Sequence, residues 1–481
     1  MDNIFVVRSI LFKPQMLCKG MRVSMAACFL LLNLLVAKAD RNCDVPFSGT
    51  LPVLYIDTDG ATPITEKGVY IEGSYYLDAL DIDGYESIGS REKPLRLKIK
   101  GRGNWTWETY DKKPYRIKLE QKQSLMGMNE SKHFVLLAHA EDYYGYLREG
   151  TAFELSRRIG LSFTPAEEPI EVVLNGDYIG LYFLTEQIRV ANNRVNIVEQ
   201  DDYETDSVNV TGGWLIEIDA YPDGNPIILS SRDGFWFPVT LHSPEELSDV
   251  QYNFLVNYIN TIDSLIYESD SLNCDWANYL DMDSMACYYL VNEVMDNIEA
   301  FSGSCYLHKQ RGDTAKLIFG PVWDFGNSYN RDELTFIYNN SKYLCHWLNG
   351  VLRFPEFSHC VKKHWQEFCN NSLKDIDNFI DQYQEHIVVA CESNNARWPE
   401  YAYNNLDQRK AKFKEKMHQK IAFLNEQFSD IKEVIFDSQV IKVEYVDLYG
   451  HVSNQPFSGL NIVIKTHDDG HITTEKIMKK Y

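Results

Sequence analysis

The chain has 481 residues, of which 44% are hydrophobic and 24% charged, and its net charge is −22. This is the composition of a folded globular protein with material for two or three structural units, not of a disordered one. The acidic balance repels phosphate backbones and anionic bilayers, which argues against a nucleic-acid partner.

In chain order, Lys19 and Arg22 precede the apolar run MAACFLLLNLLVA, and Ala37 to Ala39 supplies small residues at cleavage spacing. The run is too short to span a bilayer comfortably, so residues 1–39 are predicted to be a removed export signal, leaving no integral membrane span. Cys18 and Cys28 leave with it. The remaining eight cysteines, Cys43 and seven from Cys274 onward, predict one or more disulfides among the latter, with buried thiols as the alternative. No Cys-x-x-Cys pair or clustered histidine stands in the sequence, so a structural zinc site is not indicated.

Residues 46–240 carry strand-like runs such as LRLKIKGRGNW, KPYRIKL and HFVLLAHA, with a hairpin predicted around Asn175-Gly176-Asp177. One helix, YLREGTAFELSRRIG, is predicted among them, ending at Gly160. Residues 241–433 read as mostly helical. Ser243-Pro244-Glu245 is expected to cap the first helix, and DMDSMACYYLVNEVMDNI and NLDQRKAKFKEKMHQKIAFLNEQF follow at helical period. Residues 434–481 return to strand-like runs about a turn at Asp468-Asp469-Gly470. Thirty tyrosines and nine tryptophans suit either large cores or sugar-binding platforms.

SCYLHK and KLIFGPV are predicted to form a hairpin about Arg311-Gly312-Asp313, which delivers Asp324 just past its second strand. Asp324-Phe325-Gly326 is the triplet that marks the magnesium-holding aspartate of protein kinases, although a tripeptide alone has little specificity. A kinase catalytic loop runs aspartate, an asparagine five residues on, a β-pair, then the metal aspartate. Here the order is Glu299, Ser304, hairpin, Asp324.

Five ordered segments, LKIKGRGNWTWETYDKKPYRIKL, HFVLLAHAEDYYGYLREGTAFELSRRIGLSFTP, VVLNGDYIGLYFLTEQI, GGWLIEID and the stretch from YYLVNEVMDNIEAF to LIFGPVWDFG, together resemble the CotH kinase family over roughly Leu51 to Gln427. The resemblance implies an α+β, atypical protein-kinase-like two-lobed fold, with a β-rich lobe over residues 46–240 and a helical lobe over residues 241–433. It implies ATP and magnesium as ligands, and phosphate transfer to a hydroxyl of a secreted or surface protein. Phosphoryl transfer needs a cation for the phosphates, a metal carboxylate and a base. Lys118 is the expected phosphate lysine, with Lys113 and Arg116 as alternatives and a solvated strand lysine as the competing reading. Arg102, Gly103 and Asn104 are expected to cover the nucleotide, or else to form an ordinary turn. Glu186 is expected to pair with the lysine, and Glu217 and Asp219 to flank the lobe boundary, or else to be alternating acids on an exposed strand face.

Asp324 is the expected metal carboxylate, Glu299 the base and Ser304 a second metal position. The family pattern has aspartate, asparagine and a further aspartate where this chain has Glu299, Ser304 and Gly326. These departures keep open a catalytically impaired, pseudokinase-like binding protein, and a carbohydrate-associated surface binding protein. The tail resembles the C-terminal β-modules of secreted Bacteroidota proteins, which implies a sorting segment read by export machinery. A hairpin packed on the helical lobe is the alternative.

Overall fold

Leu97, Ile99, Ile117 and Leu119 alternate with Lys98, Lys100, Arg116 and Lys118 on two neighbouring strands, so one face enters a core and the other carries charge. The computed structural model describes residues 47–221, 227–229, 237–428, 440–447, 450–467 and 472–479; the export-signal segment and the turn at 468–470 lie outside them. The fold is α+β.

Strands β1 (Val53–Thr58), β2 (Ile71–Asp78), β3 (Leu95–Gly101), β4 (Tyr115–Gln123), β5 (Ser131–Leu137), β6 (Glu167–Leu174) and β7 (Asp177–Glu186) form a closed barrel in the order β1-β2-β3-β4-β5-β7-β6. Parallel pairing of β1 with β6 closes it, and Leu54, Ile56, Leu97, Ile99, Ile117 and Leu184 fill it. Closure removes the exposed strand edges an open sheet would leave. The predicted hairpin joins β6 to β7, with Asn175 and Gly176 at φ 53° and 79°. Helix α1 (Arg148–Ile159) lies between β5 and β6 in sequence and ends at Gly160, whose φ of 87° is a left-handed cap.

A second sheet, in the order β12-β11-β8-β10-β9, is built from β8 (Trp214–Ile218), β9 (Ile227–Leu229), β10 (Phe237–Ser243), β11 (Cys305–Lys309) and β12 (Leu317–Phe319). The boundary drawn at residue 240 falls inside β10, and β8 pairs with β11 across it. The predicted hairpin of β11 and β12 is present. Around it pack α2 (Asp249–Glu268), α3 (Met282–Val294), α4 (Pro355–Glu367), α5 (Ile376–Arg397) and α6 (Leu406–Gln427).

Helix α2 starts later than the serine-proline pair predicts. Ser243 still belongs to β10, opposite Leu215, while Ser248 caps the helix reciprocally with Gln251. The tail forms a sheet ordered β14-β13-β15-β16 from β13 (Val440–Val446), β14 (Val452–Ser453), β15 (Gly459–His467) and β16 (Ile472–Lys479). The seven described cysteines are all thiols, so the expected disulfide does not form among them. Among the described residues no helix is long and apolar enough to cross a membrane.

One buried charge network ties α6 to the end of α3. Lys420 Nζ lies 2.6 Å from Glu293 Oε1 and 3.0 Å from Asp296 Oδ1, and Arg331 holds Asp296 at 2.6 Å. Lys420 and Glu293 have side chains only 2% and 0% exposed, so neither charge has solvent to fall back on. Removing one partner of such a pair strands the other. Lys420→Met should cost about 3–5 kcal/mol in urea unfolding, and adding Glu293→Gln should recover a large part of the loss.

Candidate active site

Past β12 the chain turns into the Asp324 loop, with Asp324 at φ 64°, a left-handed conformation that aspartate adopts more readily than most residues. Two backbone donors hold that turn. The N–H groups of Asp324 and Phe325 donate to the two carboxylate oxygens of Glu149, at 3.0 and 2.8 Å. Arg148 donates to the Gly326 carbonyl at 2.5 Å and to Asn330 Oδ1 at 2.6 Å, and Asn297 Nδ2 reaches the Asp324 carbonyl at 3.2 Å. Asp142 in turn accepts the backbone N–H groups of Tyr144 and Arg148. The first turn of α1 therefore clasps the loop from beneath. Asp324 itself is open to solvent while protein surrounds it on its other sides, as for a residue lining a recess.

Four further carboxylates gather there. Glu299 sits in a tight turn after α3, its carbonyl accepting Ser302 N–H and Gly303 N–H at 2.8 and 2.9 Å, while its Oε2 accepts from Asn327 Nδ2. Burial, and then Asp324, push Glu299 up to about 7. Asp219 also rises to about 7, through burial and then Glu217, with Asp324 and Glu299 adding to it. Glu149 reaches about 8, mainly by burial. Burial and then Glu141 raise Asp324, against the pull of Arg102. A Cβ at Gly326 would stand 3.4 Å from Asp324 Oδ1 and 3.5 Å from Glu141 Oε1, so Glu141 approaches Asp324 on the side where Gly326 has no side chain. His139 lies 3.7 Å from Glu141 and 3.6 Å from Glu167. Burial opposes its charge, but the two carboxylates prevail and raise it well above the usual histidine range.

The structure brings Arg102 to this recess. Its guanidinium lies over the Trp323 ring at 5.7 Å, and its charge acts on Asp324. Among the described residues no acceptor reaches Nε of Arg102 or Nε of Arg116, both buried. Gly103 has φ 81°, and a Cβ there would meet Thr106 Oγ1 at 2.5 Å. Asn104 bridges Lys67 Nζ at 2.7 Å and the Tyr221 carbonyl at 2.9 Å. Ser304 stands in the turn from Glu299 to β11 at φ 49°.

Two predicted residues lie elsewhere. Lys118 is exposed on the outer barrel face, opposite Lys98 and His133, and its charge acts on His133. Arg116 shares that face, but the two-residue step of about 7 Å along β4 places it, not Lys118, where its charge acts on Arg102 and Tyr306. Glu186 pairs with Arg194 at 2.6 Å with both side chains buried, instead of with Lys118. Lys113 donates to the Trp107 carbonyl. Glu217 contacts His242 at 2.6 Å. Sequence reasoning missed Glu149, Glu141, His139 and Arg148. Their only signal was the density of charge in HAEDYYGYLRE, where Glu149 reads as an ordinary first-turn acid.

These elements are a recess of crowded oxygen donors faced by guanidinium groups, carried on an α+β scaffold. The profile described as CotH kinase protein matches residues 99–428, more than two thirds of the chain. The chain belongs to the CotH kinase family. No match was found among curated proteins.

Glu149 is a positioning residue, and its loss leaves two backbone donors unpaired. Glu149→Ala should destabilise the protein by about 1–3 kcal/mol for each orphaned N–H, measured by urea unfolding. It should also weaken divalent-cation binding at Asp324, measured by calorimetry. Glu154→Ala, on the same helix and partly exposed, should do neither.

Proposed function

We propose that the chain is an exported kinase that moves the γ-phosphate of ATP to a hydroxyl of a secreted or surface protein. The observation that carries this reading is the meeting of Asp324, Glu141, Glu299 and Asp219 with Arg102, whose neighbour Arg116 adds a second guanidinium; no acceptor among the described residues reaches the Nε of either. Crowded carboxylates fit a hard divalent cation such as magnesium, and unused guanidinium donors fit phosphate oxygens. Asp324 and Glu141 would hold the metal, which supplies neutralisation of charge on the phosphates. Glu141 thus serves in place of the side chain absent at Gly326. Arg102 and Arg116 take the phosphate role that the sequence assigned to Lys118. Gly103 and Asn104 hold the covering loop against the Tyr221 carbonyl.

Glu299 acts as base. A carboxylate near 7 is well matched to taking a proton from a hydroxyl at neutral pH. Its extra methylene relative to aspartate is accommodated by Gly303, where a Cβ would lie only 3.1 Å from Glu299 Cγ. Export rests on residues 1–39, and the tail sheet is proposed as the sorting segment. A pseudokinase-like chain would keep the nucleotide site without transfer.

The test is full-length protein with magnesium, labelled ATP and a mixture of exported proteins. Asp324→Ala should abolish labelling and nucleotide affinity, and an affinity independent of Asp324 would end the reading. Arg102→Ala should weaken ATP binding about ten- to hundredfold, the loss expected for a charge-assisted contact, while Lys118→Ala leaves it unchanged. Because only ionised Glu299 accepts a proton, turnover should rise with pH through about 7 and then level off. Glu299→Gln should flatten that rise and cost about 10²–10⁴-fold in kcat.

A further inference from the structure

On the side of the helical region where α3 begins, two helices present metal-ligand side chains at matching intervals. Asp283 and Cys287 stand four residues apart on α3, and Cys360 and His364 stand four apart on α4. Four residues is the interval that aligns side chains on one helix face, and α3 packs against α4. His364 Nε2 lies 2.7 Å from Asp283 Oδ1, and Cys360 Sγ lies 3.6 Å from the same oxygen. One ligand atom from each of Asp283, Cys360 and His364 lies within 4.8 Å of the others. Ligands of a tetrahedral zinc ion stand about 3.3–3.8 Å apart, so small rotamer adjustments bring the three into range.

We propose that Asp283, Cys360 and His364 form a zinc site, separate from the kinase recess, that clamps α3 to α4. Mixed thiolate, imidazole and carboxylate donors select a borderline-soft ion over magnesium. Behind the first ligands, Cys287 Sγ lies 3.6 Å from His364 Nδ1, and Glu367 lies 3.8 Å from that nitrogen. These partners orient the ring so that Nε2 faces the metal, as outer groups do around ligating histidines. An Asp–His ion pair alone has no need of thiols on both helices.

Entry is open, because the Asp283 side chain is 67% exposed and that of His364 15%. Binding converts the Cys360 thiol to thiolate and releases its proton to solvent, leaving the fourth position to water. Sequence spacing hid the site, since the two pairs are separated by more than seventy residues. The proposed clamp lies at the start of α3, and the turn carrying Glu299 follows the other end, about 20 Å along the helix axis. Zinc here would brace the helix that leads into the turn carrying the proposed base.

Cobalt reports the geometry, so full-length protein, reduced and freed of metal, is titrated with Co²⁺. One equivalent should give a thiolate-to-cobalt charge-transfer band and the intense visible bands of tetrahedral cobalt, both erased by Zn²⁺. Cys360→Ser should lose the charge-transfer band, His364→Ala should weaken affinity at least tenfold, and Asp324→Asn should leave the spectrum intact. Zinc should also raise the Tm of the wild type but not of Cys360→Ser, whose metal-free Tm shows whether it folds. A spectrum that survives Cys360→Ser, or cobalt bound only with weak octahedral bands, overturns the proposal. So does a Cys287–Cys360 cross-link, found by peptide mass, in protein purified without reductant. None of these readouts depends on phosphate transfer, so the zinc site and the kinase reading stand or fall independently.

Discussion

The site depends on one carboxylate that touches no candidate substrate. Glu149 accepts the backbone N–H groups of both Asp324 and Phe325, and so determines which way the Asp324 side chain projects. The loop backbone is left-handed at Asp324, and such a conformation persists only where its surroundings over-determine it. Arg148, one residue earlier, secures the far side of the loop through Gly326 and Asn330. The helix carrying both residues starts where Asp142 accepts the Arg148 N–H, so a single helical turn links barrel and loop.

Around that clasp the electrostatics are unfavourable for a protein alone. Asp219 and Glu299 are each raised by neighbouring acids as well as by burial, and Asp324 feels Glu141. Arg102 and His139 offset part of this repulsion at Asp324. Like charges held together by the fold are a site at which a cation or a proton is stabilising. Such crowding is what a purely structural surface avoids, and it distinguishes this recess from the ion pairs of the barrel exterior, such as Arg96 with Asp59.

The departures from the family pattern take on a local meaning here. Gly326 opens space beside Asp324 that Glu141 approaches from a different strand-to-helix connection. Glu299 reaches further than aspartate, into space left by the missing side chain of Gly303, and its carboxylate is met by Asn327.

Much of the architecture was legible in the sequence. Period-two alternation marked β3 and β4, Asn-Gly marked the turn from β6 to β7, and Gly160 marked the end of α1, because each is a short-range constraint on backbone and burial. The ordered segments were enough to indicate the CotH family. What only the tertiary structure decided was which charges meet. Arg116 and Lys118 share a face and a chemistry, and their two-residue offset along β4 separates the recess from open solvent. Glu186 and Glu149 look equally ordinary in sequence, yet one is matched by Arg194 within the barrel while the other holds the Asp324 loop. Side-chain periodicity says which way a residue points, whereas a partner is set by packing, for Glu149 that of elements more than a hundred residues apart.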